Sequence, residues 1–313
     1  MASPAQPRRT FSQAIHHRTF RRRIFVWSVL TPILAWFVIY MFLPIASVVF
    51  YSFTNAKMQY SDLSFVGLQQ YVKMFTQDPI IPIALWNTVR AVLIIVPCVL
   101  VLSLALAVGL NAMKRSREVF TFIYFLPSVV PMVAICLVWS WLYHPQYGLF
   151  NALLRMVGLP GQKFIQDSNQ ALQSISAVEI WYIFGYYAVI LLAAIRGISP
   201  DLFEAADIDG ANAWHKFRKI VIPMIKPNLV FVLIMSTIAA FMLFTPVDVL
   251  TLGRGTPGTS TMVLMLHIKI QGIQLGETGY TSAVSILLLA IILGISLVQW
   301  FLSRENKREG RKA

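Results

Sequence analysis

The sequence predicts an all-α integral membrane protein with six transmembrane helices, and three observations lead there. Of its 313 residues 57% are hydrophobic and 12% charged, about half the charge of a soluble domain, and the mean hydropathy is +0.68. The apolar residues collect in runs long enough to cross a hydrocarbon core, which takes about 20 helical residues. The 26 Lys and Arg outnumber the 13 Asp and Glu, and they fall mainly between those runs. Composition alone excludes a soluble enzyme, a disordered chain and a secreted disulfide scaffold. Cys98 and Cys136 lie inside apolar runs, as small packing residues with no metal-ligand spacing.

The expected spans are 24–51, 91–113, 119–143, 173–195, 227–247 and 279–303. The first follows a basic segment, 1–23, with Arg8, Arg9, Arg18, Arg21, Arg22 and Arg23. That resembles a signal-peptide n-region, but the apolar run continues to Phe53, too far for a cleaved peptide, so it stays as an anchor. Pro32 and Pro44 in the first span, Pro97 in the second, and Pro127 and Pro131 in the third each remove a backbone donor and kink their helix. The fourth run is interrupted by Glu179 near its start and is uncharged from Ile180 to Ile195. A basic tail, 304–313, follows the sixth.

Segments 1–23, 114–118, 196–226 and 304–313 hold 19 of the 26 basic residues, and the longer connections on the other side hold 7. Positive charge collects on the cytoplasmic side, so both termini are expected there. The basic residues then set topology and meet anionic lipid, which leaves no role for nucleic acid. Arg90 is expected to snorkel outward, and His267, in a short apolar outer segment, has no ligand-like companion in sequence.

One segment does not suit a membrane. Residues 196–226 read RGISPDLFEAADIDGANAWHKFRKIVIPMIK. Ser199 can cap a helix that begins at Pro200, with Asp201 at its positive end. Asp209-Gly210 supplies a turn, and a second helix, Ala211–Ile222, follows with Trp214, Phe217 and Val221 on one face. The result is a two-helix knob. It is either a connector lying on the headgroups or a docking element for a soluble partner.

Glu204-Ala205-Ala206, then Gly210, then Ile220-Val221-Ile222-Pro223 resemble the EAA loop of the inner-membrane permease subunits of binding-protein-dependent ABC importers. Every spacing is kept, and Ile222 stands where leucine is usual. Phe65-Val66-Gly67-Leu68-Gln69-Gln70-Tyr71 is similar to the family's F-x-G-L-x-N-Y, with Gln70 for asparagine. Trp86-Asn87-Thr88, Tyr147-Gly148 with Asn151, and Gly279-Tyr280 with Ser282-Ala283 also match, and the glycine-rich stretch Thr251–Pro257 matches more loosely. These point to the sugar branch, of maltose and glycerol-3-phosphate type.

The resemblance implies a type I ABC importer transmembrane domain with a methionine-importer-like fold, in a bacterial or archaeal plasma (inner) membrane. Partners would be a second, homologous permease in a heterodimer, two copies of a nucleotide-binding ATPase, and an extracytoplasmic solute-binding protein. ATP and magnesium would sit on the ATPase, and this chain would have no cofactor, no metal and no catalysis. The sequence agrees in lacking the phosphate-cradling pattern G-x-x-x-x-G-K-[ST]. ATPase coupling falls to Glu204, Ala205, Ala206, Asp209, Gly210, Ile220, Ile222 and Pro223. For the substrate pathway the candidates are Glu179, Trp181, Tyr182, Tyr186 and Tyr187, aromatic faces with hydrogen-bonding groups that suit a sugar, and Asp248; Arg254 nearby reads as a solvated charge. The alternative, a stand-alone carrier driven by an ion gradient, would need intramembrane acids in matching halves, and only Glu179 is available. A membrane enzyme would need carboxylates in D-D-x-x-D-like order, whereas alanines and glycine separate Asp201, Glu204, Asp207 and Asp209.

Overall fold

The computed structural model describes residues 25–58 and 63–309. The basic segment 1–23 and the end of the tail, 310–313, lie outside the described residues. Regular structure among those described is helical, apart from one antiparallel bridge between Thr54 and Phe65. Helix α1, Phe25–Tyr51, carries no buried residue in its apolar window. It widens into a π turn at Val38–Phe42 just before Pro44, where the missing proline N–H leaves a carbonyl to be accommodated.

After a short helix α2, Gln69–Thr76, helix α3 runs over Ile80–Ala112 without interruption. At 1.5 Å per residue it is about 50 Å long, and it starts well before the expected boundary at 91. Upstream of Arg90, after which the uncharged run begins, Asn87 and Thr88 are buried within this helix and both have partners. Asn87 Nδ2 donates to the carbonyls of Thr259 and Met262 at 2.9 and 3.0 Å. Thr88 Oγ1 donates to Ala84 and accepts from the Leu264 N–H. Pro97 lies inside the helix, which continues through it.

The expected third span, 119–143, is not one rod. Helix α4, Arg117–Phe125, passes through a 3-10 turn at Leu126–Val129, and α5, Met132–Leu142, leaves at 99° to the preceding segment. Pro131 forces Val130 into extended backbone (φ −79°, ψ 139°), and with Pro127 two donors are lost within one turn. Helix α6, Leu149–Met156, is a short cap whose buried Asn151 ties the loop together, donating to the carbonyls of His144, Pro145 and Gln162 and accepting from the Gln162 N–H.

Helix α7, Ala171–Arg196, is the centre of the bundle and packs along α3. Ala84, Ala91, Ser103 and Ala107 on one helix and Ala171, Ser176 and Ala188 on the other are buried. Small residues let two backbones approach where no hydrophobic effect drives them together. Beyond the loop 196–226, the fifth span divides into α10, Lys226–Phe241, and α11, Thr245–Leu250. Between them, at the end away from the loop 196–226, the helix breaks at 242–244. A short helix, α12, Leu264–Lys269, precedes α13, Thr278–Glu309, which continues past the expected end at 303. The last span packs on α10, α2 and the end of α1.

Candidate functional site

The loop 196–226 folds as two helices around a tight turn. Helix α8, Pro200–Ile208, has proline in its first turn and Asp201 at its positive end. Ser199 occupies the cap position, but its hydroxyl donates to Asp201 Oδ2 at 3.1 Å and leaves the backbone N–H groups alone. Gly210 has φ +73°, in the left-handed region that glycine tolerates. The helix then closes with Ala211 N–H on Ala206 O at 2.8 Å and Gly210 N–H on Asp207 O at 3.1 Å.

The second helix begins later than the expected Ala211, because Asn212 caps it: its Oδ1 accepts from His215 N–H at 2.8 Å. It runs as α9, Ala213–Lys216, then a π turn at Phe217–Val221, then Ile222–Met224 with Pro223 in its first turn. Lys216 Nζ reaches Asp207 Oδ1 at 2.5 Å and cross-links the two helices.

One side of this knob is anchored. Phe203, Phe217, Ile220, Val221 and Ile225 pack on the core of the bundle. The other side is open: Glu204, Ala205, Asp209 and Gly210 are exposed, with Leu202, Ile208 (87% exposed) and Trp214 (64%). Ala206, Asp209, Gly210 and Ile220 line a common cleft of about 430 Å³ between the helices. Glu204 borders a second cavity of about 500 Å³, which α8 shares with Arg117 and Arg196. Ile222 is half-buried and Pro223 exposed at the far end. An exposed carboxylate, an apolar rim and a rigid attachment to the span ends suit a lever that a partner grips.

The pathway candidates separate. Glu179 and Tyr182 are half-buried on α7, and Tyr182 donates to Ser128 O at 3.4 Å. Trp181 and Tyr186 are exposed, against Trp139 and Phe125 respectively. Tyr187 is buried among core residues and faces away from any open surface. Asp248 is not a free gate charge: Lys269 Nζ holds both its carboxylate oxygens at 2.5 and 2.7 Å.

Sequence reasoning missed a polar cluster at the end of the bundle away from the loop 196–226. Asp78 Oδ2 accepts from Tyr280 OH at 2.5 Å and from His267 Nε2 at 2.9 Å, and its Oδ1 accepts from Ile80 N–H at 2.8 Å. His267, expected to stand alone, therefore has a carboxylate partner, and the two side chains are 3% and 10% exposed. Burial opposes the Asp78 charge, but the hydrogen bonds from Tyr280 and Ile80 and the nearby imidazole outweigh it and hold the carboxyl below its usual range. Burial pushes the His267 imidazole below its ordinary range, against the pull of Asp78. The local signal was Asp78-Pro79, an acid two residues before a helix; the other two partners are 189 and 202 positions away.

Residues 99–308 match the family described as binding-protein-dependent transport system inner membrane component. The sulfoquinovosyl glycerol transport system permease protein SmoG of Agrobacterium fabrum is 32% identical, with 82% of each chain covered. The arabinooligosaccharides transport system permease protein AraP of Bacillus subtilis is 30% identical over 89% of this chain and 88% of its own. The fold is similar to that of a bacterial alginate ABC transporter crystallised with its alginate pentasaccharide-bound periplasmic protein (TM-score 0.80, 23% identity, 92% and 96% covered).

Proposed function

The chain belongs to the family of inner membrane components of binding-protein-dependent transport systems, and on that premise we propose that it forms half of a translocation pathway for a sugar, oligosaccharide or sugar derivative. It is a permease subunit of an ABC importer whose ATPase is a separate chain, and family membership displaces the ion-driven carrier. The sugar class is supported by relatives that carry sulfoquinovosyl glycerol and arabinooligosaccharides, and by the Trp and Tyr faces beside Glu179. A second, homologous permease would complete the pathway, with two ATPase copies below it and a solute-binding protein outside. Both termini would be cytoplasmic.

The observation that carries the mechanism is the two-helix loop. Glu204 offers a carboxylate to a basic group on the ATPase, Ala205 and Ala206 allow close approach, and Asp209-Gly210 make the turn. Ile220, Ile222 and Pro223 connect the knob to the fifth span. ATP and magnesium, held by the ATPase, would favour one of two bundle arrangements, and an ATPase can shift them only by its differential affinity for the two. The rigid seat on Phe203, Phe217 and Ile225 passes that bias to α7 and α10.

The test is co-purification of the solubilised chain with its partners, wild type against Glu204→Lys, read by mass spectrometry. The expected result is a nucleotide-binding ATPase and a second permease with the wild type, and a depleted ATPase with the variant. Equal ATPase recovery from both would refute the role given to Glu204.

A further inference from the structure

Helix α2 presents an apolar flank that no other described element covers. At about 100° per residue, Met74, Tyr71, Phe75, Leu68 and Val72 share one arc, and Gln69, Lys73, Thr76 and Gln77 share the opposite one. The apolar arc is divided between two environments. Met74 is buried and the Tyr71 hydroxyl donates to Ser52 Oγ at 2.9 Å, so that edge is fixed to the bundle. Leu68, Val72 and Phe75 are 63%, 54% and 66% exposed.

The helix is not free to roll and bury them. Gln70 Nε2 donates to Thr54 O at 2.9 Å on one side. On the other, Lys73 Nζ lies 3.7 Å from Glu277 and 4.8 Å from the centre of the Tyr280 ring. The chain also fixes its depth: α1 ends at Tyr51 and α3 begins at Ile80, so both neighbours of α2 are membrane spans. Exposed apolar residues resume at once on one face of α3, with Ile83, Trp86 and Leu93.

We propose that Leu68, Val72 and Phe75 are seated at the headgroup–acyl boundary of the leaflet opposite the coupling loop, making α2 an interfacial anchor. One edge on protein, one apolar flank toward lipid and a polar arc toward water is the arrangement of a helix lying in the membrane surface. The anchor sets the depth of the Asp78 cluster, because Asp78 comes two residues after Thr76 and binds the starts of α3 and α13 to His267 of α12.

The test is nitroxide labelling at Phe75→Cys, Leu68→Cys and Gln69→Cys, each in a Cys98→Ala, Cys136→Ala background. The transporter, co-purified with its partners, is reconstituted in phosphatidylethanolamine–phosphatidylglycerol vesicles. Relaxation of each label is measured with oxygen, which concentrates in lipid, and with a water-soluble nickel chelate. Expected is an oxygen effect several-fold above the chelate's at 75 and 68, reversed at 69. Equal chelate access at all three sites would mean a water-facing flank open to a soluble binding protein. Immobilised labels at 75 and 68 that neither reagent reaches would mean a second permease covers it. Either result overturns the assignment, and two apolar sites keep it testable where one variant fails to assemble.

Discussion

Replacing Asp78 with alanine should be among the most damaging single changes at its end of the bundle. Its carboxylate accepts three hydrogen bonds, from Ile80 N–H, His267 and Tyr280, and hydrogen bonds to a charged group contribute about 1.5–3 kcal/mol each. The carboxylate is itself desolvated, which offsets part of that sum. What decides the sign is the remainder: Tyr280 and His267 are 1% and 2% exposed, so truncation strands two donors where water does not reach. Each stranded donor costs about 1–3 kcal/mol, and breaking a buried pair from one side generally costs about 3–5 kcal/mol. We expect Asp78→Ala to lower stability by about 4 kcal/mol on that basis.

The assay is equilibrium unfolding by dodecyl sulfate in mixed micelles, followed by circular dichroism. Asp201→Ala, at an exposed carboxylate, gives the scale for removing a charge at a helix N-terminus, about 0.3–1 kcal/mol. Tyr280→Phe removes one donor without opening a cavity. Combined with Asp78→Ala it should cost less than the sum of the two, because the hydroxyl has no acceptor left to lose; contacting residues couple by about 0.5–3 kcal/mol. Strict additivity, or an Asp78→Ala variant within ~1 kcal/mol of wild type, would refute the reasoning.

Three further outcomes rest on the same geometry. His267 and Asp78 both have lowered pKa values in the folded chain, so the unfolded chain binds protons first and their contribution is present at neutral pH and lost on acidification; unfolding midpoints should fall from about pH 6.5 downward and more steeply below about pH 4, and a rise through pH 6 would contradict this. Gly185→Ala would set a methyl against the Tyr124 carbonyl, well inside contact distance of its oxygen, forcing α4 from α7 at about 3 kcal/mol or more. Size-exclusion profiles should show lost assembly for that variant and none for Gly294→Ala, where nothing lies within 4 Å. Asn212→Ala removes the cap on His215 N–H, worth about 1 kcal/mol, and hydrogen exchange should quicken at the amides of α9 while those of α7 keep their protection.

How far the chain can be read from its sequence depends on how far each feature's partners lie along it. The coupling loop is legible because its determinants are local: Pro200 starts one helix, Gly210 turns the chain, and the cross-link from Lys216 returns only to Asp207. Asn212 as the second cap is within the same reach, although the helix is expected from Ala211. The spans are legible as runs, but their ends are not. The second span starts eleven residues before the expected 91, and the buried Asn87 and Thr88 in that extension are satisfied by Thr259, Met262 and Leu264, some 170 positions away. Pro127 and Pro131 announce a kink, yet its size is set by what α4 and α5 each pack against, with Tyr124 on Gly185 and Trp139 on Trp181.

The pathway candidates show the same limit from the other side. Five residues of one helix group together because they are neighbours in sequence, although 3.6 residues per turn must spread them around it. Tyr187 accordingly turns into the core while Trp181 and Tyr186 stay on the surface. Asp248 reads as a free charge because Lys269, one short helix away, has no reason in sequence to return to it. Charges near a bilayer carry the greatest cost when unpaired, so the pairs that fold this end of the bundle are the features most worth predicting. They are also the ones in which each partner, read alone, looks solvated or solitary: Asp78 with His267, Asp248 with Lys269, Glu277 with Lys57 and Lys73. The useful question for an isolated charge between two spans is therefore which opposite charge lies at the same end of another span. Asked of this chain, it narrows the candidates to charges at one end of the bundle, among which the structure pairs Asp78 with His267 and Asp248 with Lys269.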